Sequence, residues 1–138
     1  MISYKVSDIR KSLDKEKLEK EYNTNFIGHF VYRKLSFYIT YIFLNYNISA
    51  NLVTILSIIL CLSMPVLVYC LHLSYLYVAF ISIIFYLLDH VDGNIARVSK
   101  TNSLLGKYLD SFAGIFHDIC FYISIGLLIM PGETTDYP

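Results

Sequence analysis

Residues 52–71 form a run of 20 residues without one charge. About 20 apolar residues make a helix long enough to cross the hydrocarbon of a bilayer, so this run alone points away from a soluble fold. Pro65 lies inside it, placed to kink it. After a break at residues 72–74, a second apolar stretch at 75–96 carries Asp89 and Asp92 in its last two turns. Residues 97–103 are a polar loop. A third stretch, 104–130, carries Asp110, His117 and Asp118 in its first half, and Pro131-Gly132 ends it. Hydrophobic residues are 56% of the chain and charged residues 16%. That balance belongs to an integral membrane protein, and 138 residues allow one domain. The expected fold is therefore an all-α membrane helical bundle with three transmembrane helices.

The remaining segments divide into a charged amino-terminal arm (1–29), the membrane domain (30–130) and a polar tail (131–138). The arm alternates charges with apolar residues and is expected to be helical from Val6, either on the membrane surface or as a solvated leader. Between Lys34 and Asn45, the uncharged run 35–44 is too short to span. It is rich in Tyr and Phe, which favour the headgroup level, so residues 30–46 read as an amino-terminal interfacial helix, with a tilted extra span as the alternative.

The zero net charge hides an uneven distribution. Of the 11 Lys and Arg residues, eight precede Ser36, and the other three are Arg97, Lys100 and Lys107. The 72–74 turn and the tail contain neither Lys nor Arg. The positive-inside rule then places the amino terminus and the 97–107 region in the cytoplasm. Once these residues serve as membrane flanks, no basic face remains for nucleic acid. Cys61, Cys70 and Cys120 fit no metal or disulfide spacing and read as small buried side chains. Asn47-Ile48-Ser49 fits a glycosylation pattern, but a cytoplasmic position argues against modification.

Asp89, Asp92 and Asp110 are the costly residues. A carboxylate at membrane depth needs a partner or a purpose. Asp89 and Asp92 share a helix face, Gly93 and Ala96 continue it with almost no side chain, and a short loop brings Asp110 alongside. A hard divalent cation would take all three carboxylates as oxygen ligands. Arg97, just beyond them, suits a phosphate oxygen. Metal-assisted chemistry on a phosphoryl group follows from this set. Two other readings stay open: a charge network with Arg97, Lys100 and Lys107, and a proton or ion path.

The pattern Asp89-x2-Asp92-Gly93-x2-Ala96-Arg97-x8-Gly106-x3-Asp110 resembles the signature of the CDP-alcohol phosphatidyltransferase family. Asn51 and Thr54 resemble the family's Pro-Asn-x2-Thr start of the first span, with Ala50 in place of Pro, and the Arg33-Lys34-Leu35-Ser36 stretch is similar to the basic entry of its juxtamembrane helix. The resemblance implies two Mg2+ or Mn2+ ions on Asp89, Asp92 and Asp110. It implies a CDP-alcohol donor held by Asn51, Thr54, Gly93, Ala96, Arg97 and Gly106. It further implies transfer of a phosphatidyl-type group to an acceptor hydroxyl with release of CMP, in a homodimer, while the basic flanks turn the site toward the cytoplasm. Two features depart from the family. Its last signature aspartate, the expected general base, is replaced by Gly114, and His117 and Asp118 are the candidate substitute bases. Family members usually have six spans, so the chain is expected to continue beyond Pro138.

Overall fold

The structure is a computed structural model, and it describes residues 5–13 and 31–129. Five α-helices make up the described residues: α1 Val6–Lys11, α2 Arg33–Asn45, α3 Ala50–Leu71, α4 Tyr75–Val98 and α5 Leu104–Ile129. Three of them, α3, α4 and α5, are long and apolar enough to cross a membrane. They fall on the three apolar stretches, which are long enough to tolerate the few charged residues near one end. The tail and residues 14–30 lie outside the described residues, as does the expected end of α5 at Pro131-Gly132.

Local chemistry sets the boundaries. Ser49 caps α3, its Oγ accepting from the Leu52 N–H at 3.3 Å, and Ser103 does the same for α5 by accepting from Gly106 N–H at 3.0 Å. Such caps satisfy donors that have no partner inside the helix. Helix α3 continues through Pro65 to Leu71 without a break in its assignment. At the other ends, α2 and α4 close with the same turn. Asn47 and Lys100 have φ of 56° and 54°. Ile48 N–H donates to Phe43 O at 2.9 Å and Asn47 N–H to Leu44 O at 3.1 Å, while Thr101 N–H donates to Ala96 O at 3.0 Å and Lys100 N–H to Arg97 O at 3.3 Å. This is the Schellman pattern, whose left-handed position usually holds Gly. Asn tolerates that conformation, whereas Lys carries a Cβ penalty. Lys100→Gly is therefore expected to stabilise the fold by roughly 1 kcal/mol, readable as a raised thermal midpoint.

Packing is organised around α3, which lies against both α4 and α5, while α2 packs on α4. One apolar cluster joins Met64 and Val68 of α3 to Val78, Ile81 and Phe85 of α4 and Ala113 of α5. A second joins Ile9 of α1, Leu44 of α2, Val53 of α3 and Val91 and Ile95 of α4. Outward apolar residues such as Leu76, Phe80, Ile115 and Ile119 stay at least half exposed, as side chains facing lipid tails would. Hydroxyls inside the spans bond locally, for example Ser57 to Thr54 O at 2.7 Å and Ser124 to Cys120 O at 2.7 Å, which spares them an unpaired place in hydrocarbon. The cysteines follow expectation at Cys61 and Cys120, which are buried; Cys70 is exposed, because its position near the end of α3 faces away from the bundle.

Candidate metal centre and donor cleft

The cleft forms where the last turns of α4 and the first turns of α3 and α5 meet. Asp89 and Asp92, three residues apart, lie on one side of α4, and Asp110 faces them from the second turn of α5. One carboxylate oxygen from each lies within 4.8 Å of the others. Two oxygens on opposite sides of one Mg2+ stand roughly 4.2 Å apart, so a small inward adjustment would let these residues hold such an ion. The donor set fits a hard cation: it is all carboxylate oxygen, with no thiolate or imidazole among the three. Asp92 is buried at 5% exposure, Asp89 is half-buried and Asp110 is exposed. Thr54 fixes Asp92 by donating its hydroxyl proton to Oδ2 at 2.6 Å. That bond ties the first turns of α3 to α4 and leaves the other carboxylate oxygen for a ligand.

Around this point runs a cleft of about 310 Å³, within the ordinary size of a small-molecule site. Its wall includes Asn51 and Thr54 from α3, Asp89, Asp92, Gly93, Ala96 and Arg97 from α4, and Gly106 and Asp110 from α5. All nine sequence-derived positions of the metal and donor sets thus face one space. Of the two glycines in this wall, Gly106 is the one at a close approach. A Cβ on Gly93 would stand 3.4 Å from Arg97 Nη1, and one on Gly106 would stand 3.3 Å from Asn51 Oδ1 and 3.2 Å from Ser103 Oγ. The missing side chain at Gly106 lets α5 approach the Asn51 side chain of α3, whereas at Gly93 a Cβ would only reach ordinary contact with Arg97. Gly106→Val should force the Asn51 side chain aside and cost about 1–3 kcal/mol of stability, readable as a lowered thermal midpoint.

His117 and Asp118 are not brought to the cleft. His117 is 3% exposed, with Nε2 at 3.1 Å from Ser82 Oγ and Nδ1 at 3.2 Å from Asp118 Oδ1. Its ring stacks on Phe85 at 4.4 Å with planes 13° apart. Seven residues from Asp110 return it to nearly the same helix face but place it about 10 Å further along the axis, where α4 already fills the space. His117→Ala is expected to cost roughly 2 kcal/mol of stability and to leave Mn2+ uptake unchanged. The position of the expected base is empty instead: a Cβ on Gly114 would meet nothing within 4 Å.

The cleft also contains residues that sequence reasoning did not assign to it. Arg33 of α2 and His90, Ser103 and Lys107 line it. His90 Nδ1 lies 2.8 Å from Tyr86 O and 3.9 Å from Asp89 Oδ2. Behind the wall, Asn94 is fully buried. It bonds to Arg33, Ser36, Thr40 and Arg97. The signal was present: Arg33, Ser36 and Thr40 recur at helical spacing as a polar stripe in an otherwise apolar and aromatic segment.

Three helices able to span a bilayer, with an acidic and guanidinium-lined cleft at one end of them, define a membrane protein with a polar site at the edge of its spans. The family model for CDP-alcohol phosphatidyltransferase matches residues 47–134, and the chain belongs to that family. The matched segment takes in α3, α4 and α5, and leaves α1 and α2 outside it. No curated protein and no solved structure matches the chain. At the level of the family, this is a membrane transferase of phosphoalcohol groups in lipid synthesis.

Proposed function

We propose that this chain transfers a phosphatidyl-type group from a CDP-alcohol to an acceptor hydroxyl, releasing CMP, with Mg2+ or Mn2+ held by Asp89, Asp92 and Asp110. The observation that carries the reading is the convergence of those three carboxylates within 4.8 Å, beside Arg97 and at the ends of helices able to cross a membrane. A lipid-anchored phosphate and a water-soluble nucleotide can meet only at such a boundary. In this reading Arg97 takes a phosphate oxygen of the donor, and Asn51 orients the nucleotide with its amide. Thr54 holds the Asp92 carboxylate in register. Gly93, Ala96 and Gly106 keep the space open. Bound divalent cations would supply charge neutralisation of the diphosphate and of the leaving CMP.

The remaining parts of the reading rest on sequence and on exposure. The basic flanks support a site on the cytoplasmic side, within a membrane domain covering residues 30–130 that follows a charged arm. A homodimer is part of the proposal. The Asp118 side chain is 65% exposed within a span, and an ionisable group left against lipid is costly.

The reaction forms a bond from the acceptor oxygen to phosphorus, breaks the bond from phosphorus to the CMP oxygen, and requires the hydroxyl proton to leave. Gly114 supports a second reading, because glycine offers no proton acceptor there: a relative that binds metal and nucleotide but is catalytically silent. CMP release by the purified chain with Mn2+ and a CDP-alcohol separates them. Release that disappears in Asp110→Asn supports the transferase. Uptake of Mn2+ and cytidine diphosphate without any release supports the silent relative. Failure to bind either ligand overturns both.

A further inference from the structure

Asn94 makes four side-chain hydrogen bonds behind the cleft, and its geometry leaves one orientation. Its Oδ1 accepts from Arg97 Nη2 at 2.8 Å and from Arg33 Nη1 at 3.3 Å. Its Nδ2 donates to Ser36 Oγ at 3.1 Å and to Thr40 Oγ1 at 3.4 Å. Turning the amide over would set its NH2 against two guanidinium groups that can only donate. The side chain is 0% exposed, so water cannot take over any of these bonds. The Ser36 hydroxyl is itself spent on Arg33 O at 2.9 Å, which leaves its oxygen to accept from Asn94.

Both arginines held by this amide are among the residues that line the cleft. Arg33 comes from α2, outside the segment that matches the family, and only 4% of it is exposed. The junction between the two is a neutral amide, which orients guanidinium groups without cancelling their charge. Arginine forks match phosphate oxygens in pairs, and a fork locked by a buried acceptor loses less freedom on binding. The cleft lining thus includes two cationic side chains from two different helices, both bonded to one buried amide.

We propose that Arg33 is a second phosphate-contacting cation of the cleft, acting with Arg97 on a diphosphate, and that Asn94 is the positioning residue for both. The proposal rests on the donor reading above for the cytidine part of the ligand, but not for the diphosphate. Inorganic pyrophosphate therefore tests it independently.

The experiment is calorimetry on the full chain in lipid nanodiscs with Mn2+, using cytidine diphosphate and inorganic pyrophosphate as probes. Arg33→Gln is expected to weaken both probes about tenfold or more, the loss of one charge-assisted hydrogen bond, while Mn2+ uptake stays as in the starting protein. Asn94→Asp keeps two acceptors for the arginines but places a negative charge where it competes with phosphate, and should also weaken both probes. Combined with Arg33→Gln, it should cost less than the product of the two effects, because both act on one clamp. A purely structural Asn94 predicts instead a lower thermal midpoint in Asn94→Asp with pyrophosphate affinity unchanged, and that result overturns the positioning role. Arg33→Gln with normal Mn2+ uptake and undiminished pyrophosphate affinity overturns the clamp. Should Arg33→Gln not fold, Arg33→Lys decides: a point charge cannot reach Asn94 and a phosphate together, so unchanged affinity there also overturns it. Pyrophosphate binding through Arg33 without any cytidine diphosphate binding upholds the clamp and removes the donor reading. Binding of neither probe removes both.

Discussion

Asp92→Asn is expected to abolish Mn2+ uptake and to lower CMP release by roughly a thousandfold, equivalent to about 4 kcal/mol of transition-state stabilisation. The substitution is nearly isosteric. Thr54 can still donate its 2.6 Å hydrogen bond to the amide oxygen, so the contact between α3 and α4 survives. What is lost is the carboxylate of the one buried member of the three. An amide oxygen is a poorer ligand for a hard cation than a carboxylate. The competing readings give different results. If the aspartates serve only a charge network, Asp92→Asn changes the thermal midpoint and leaves Mn2+ binding undetected in either protein. If they line an ion path, liposomes carrying the chain show a flux that is independent of CDP-alcohol and is reduced by the substitution.

Gly114→Asp should move activity in the opposite direction, raising CMP release about a hundredfold, the lower range for a well-placed general base. The position lies one turn beyond Asp110 on the same face of α5. A new Cβ there has open space, with no atom within 4 Å, so the carboxylate enters without displacing a neighbour. Replacing Gly inside a helix also removes a conformational penalty. If the starting chain is silent and this change creates release, the chain is a binding-competent relative that lacks only its base. If release is already present and does not change, the proton leaves by another route, and position 114 has no part in it.

The spans and the convergence of the three aspartates could both be read from the chain because each depends largely on local periodicity. An uncharged run such as 52–71 has to be a buried helix wherever it packs. Two aspartates three apart share a face whatever surrounds them. The loop between α4 and α5 is short, so Asp110 had few places to go.

His117 shows the limit of that reasoning. Its spacing from Asp110 gives the right face, but depth along the helix decides which neighbour it meets. At its level the neighbours are Ser82 and Phe85 of α4 rather than the cleft. Asn94 shows the same limit from the other side. It stands inside the signature, yet its role depends on Arg33, 61 positions earlier in the chain. Nothing in the spacing of either residue encodes that distance.

The sequence by itself determined how many of the described helices can cross a membrane, roughly where they lie, and that three carboxylates gather at the end of two of them. These follow from hydrophobic length and helical repeat, which act over a few turns. Tertiary structure alone decided that α2 lays Arg33 against α4, that one buried amide orients two guanidinium groups, and that His117 faces the packed interior. Those outcomes depend on which helix faces meet, and contact between distant segments is set by the packing of the whole bundle.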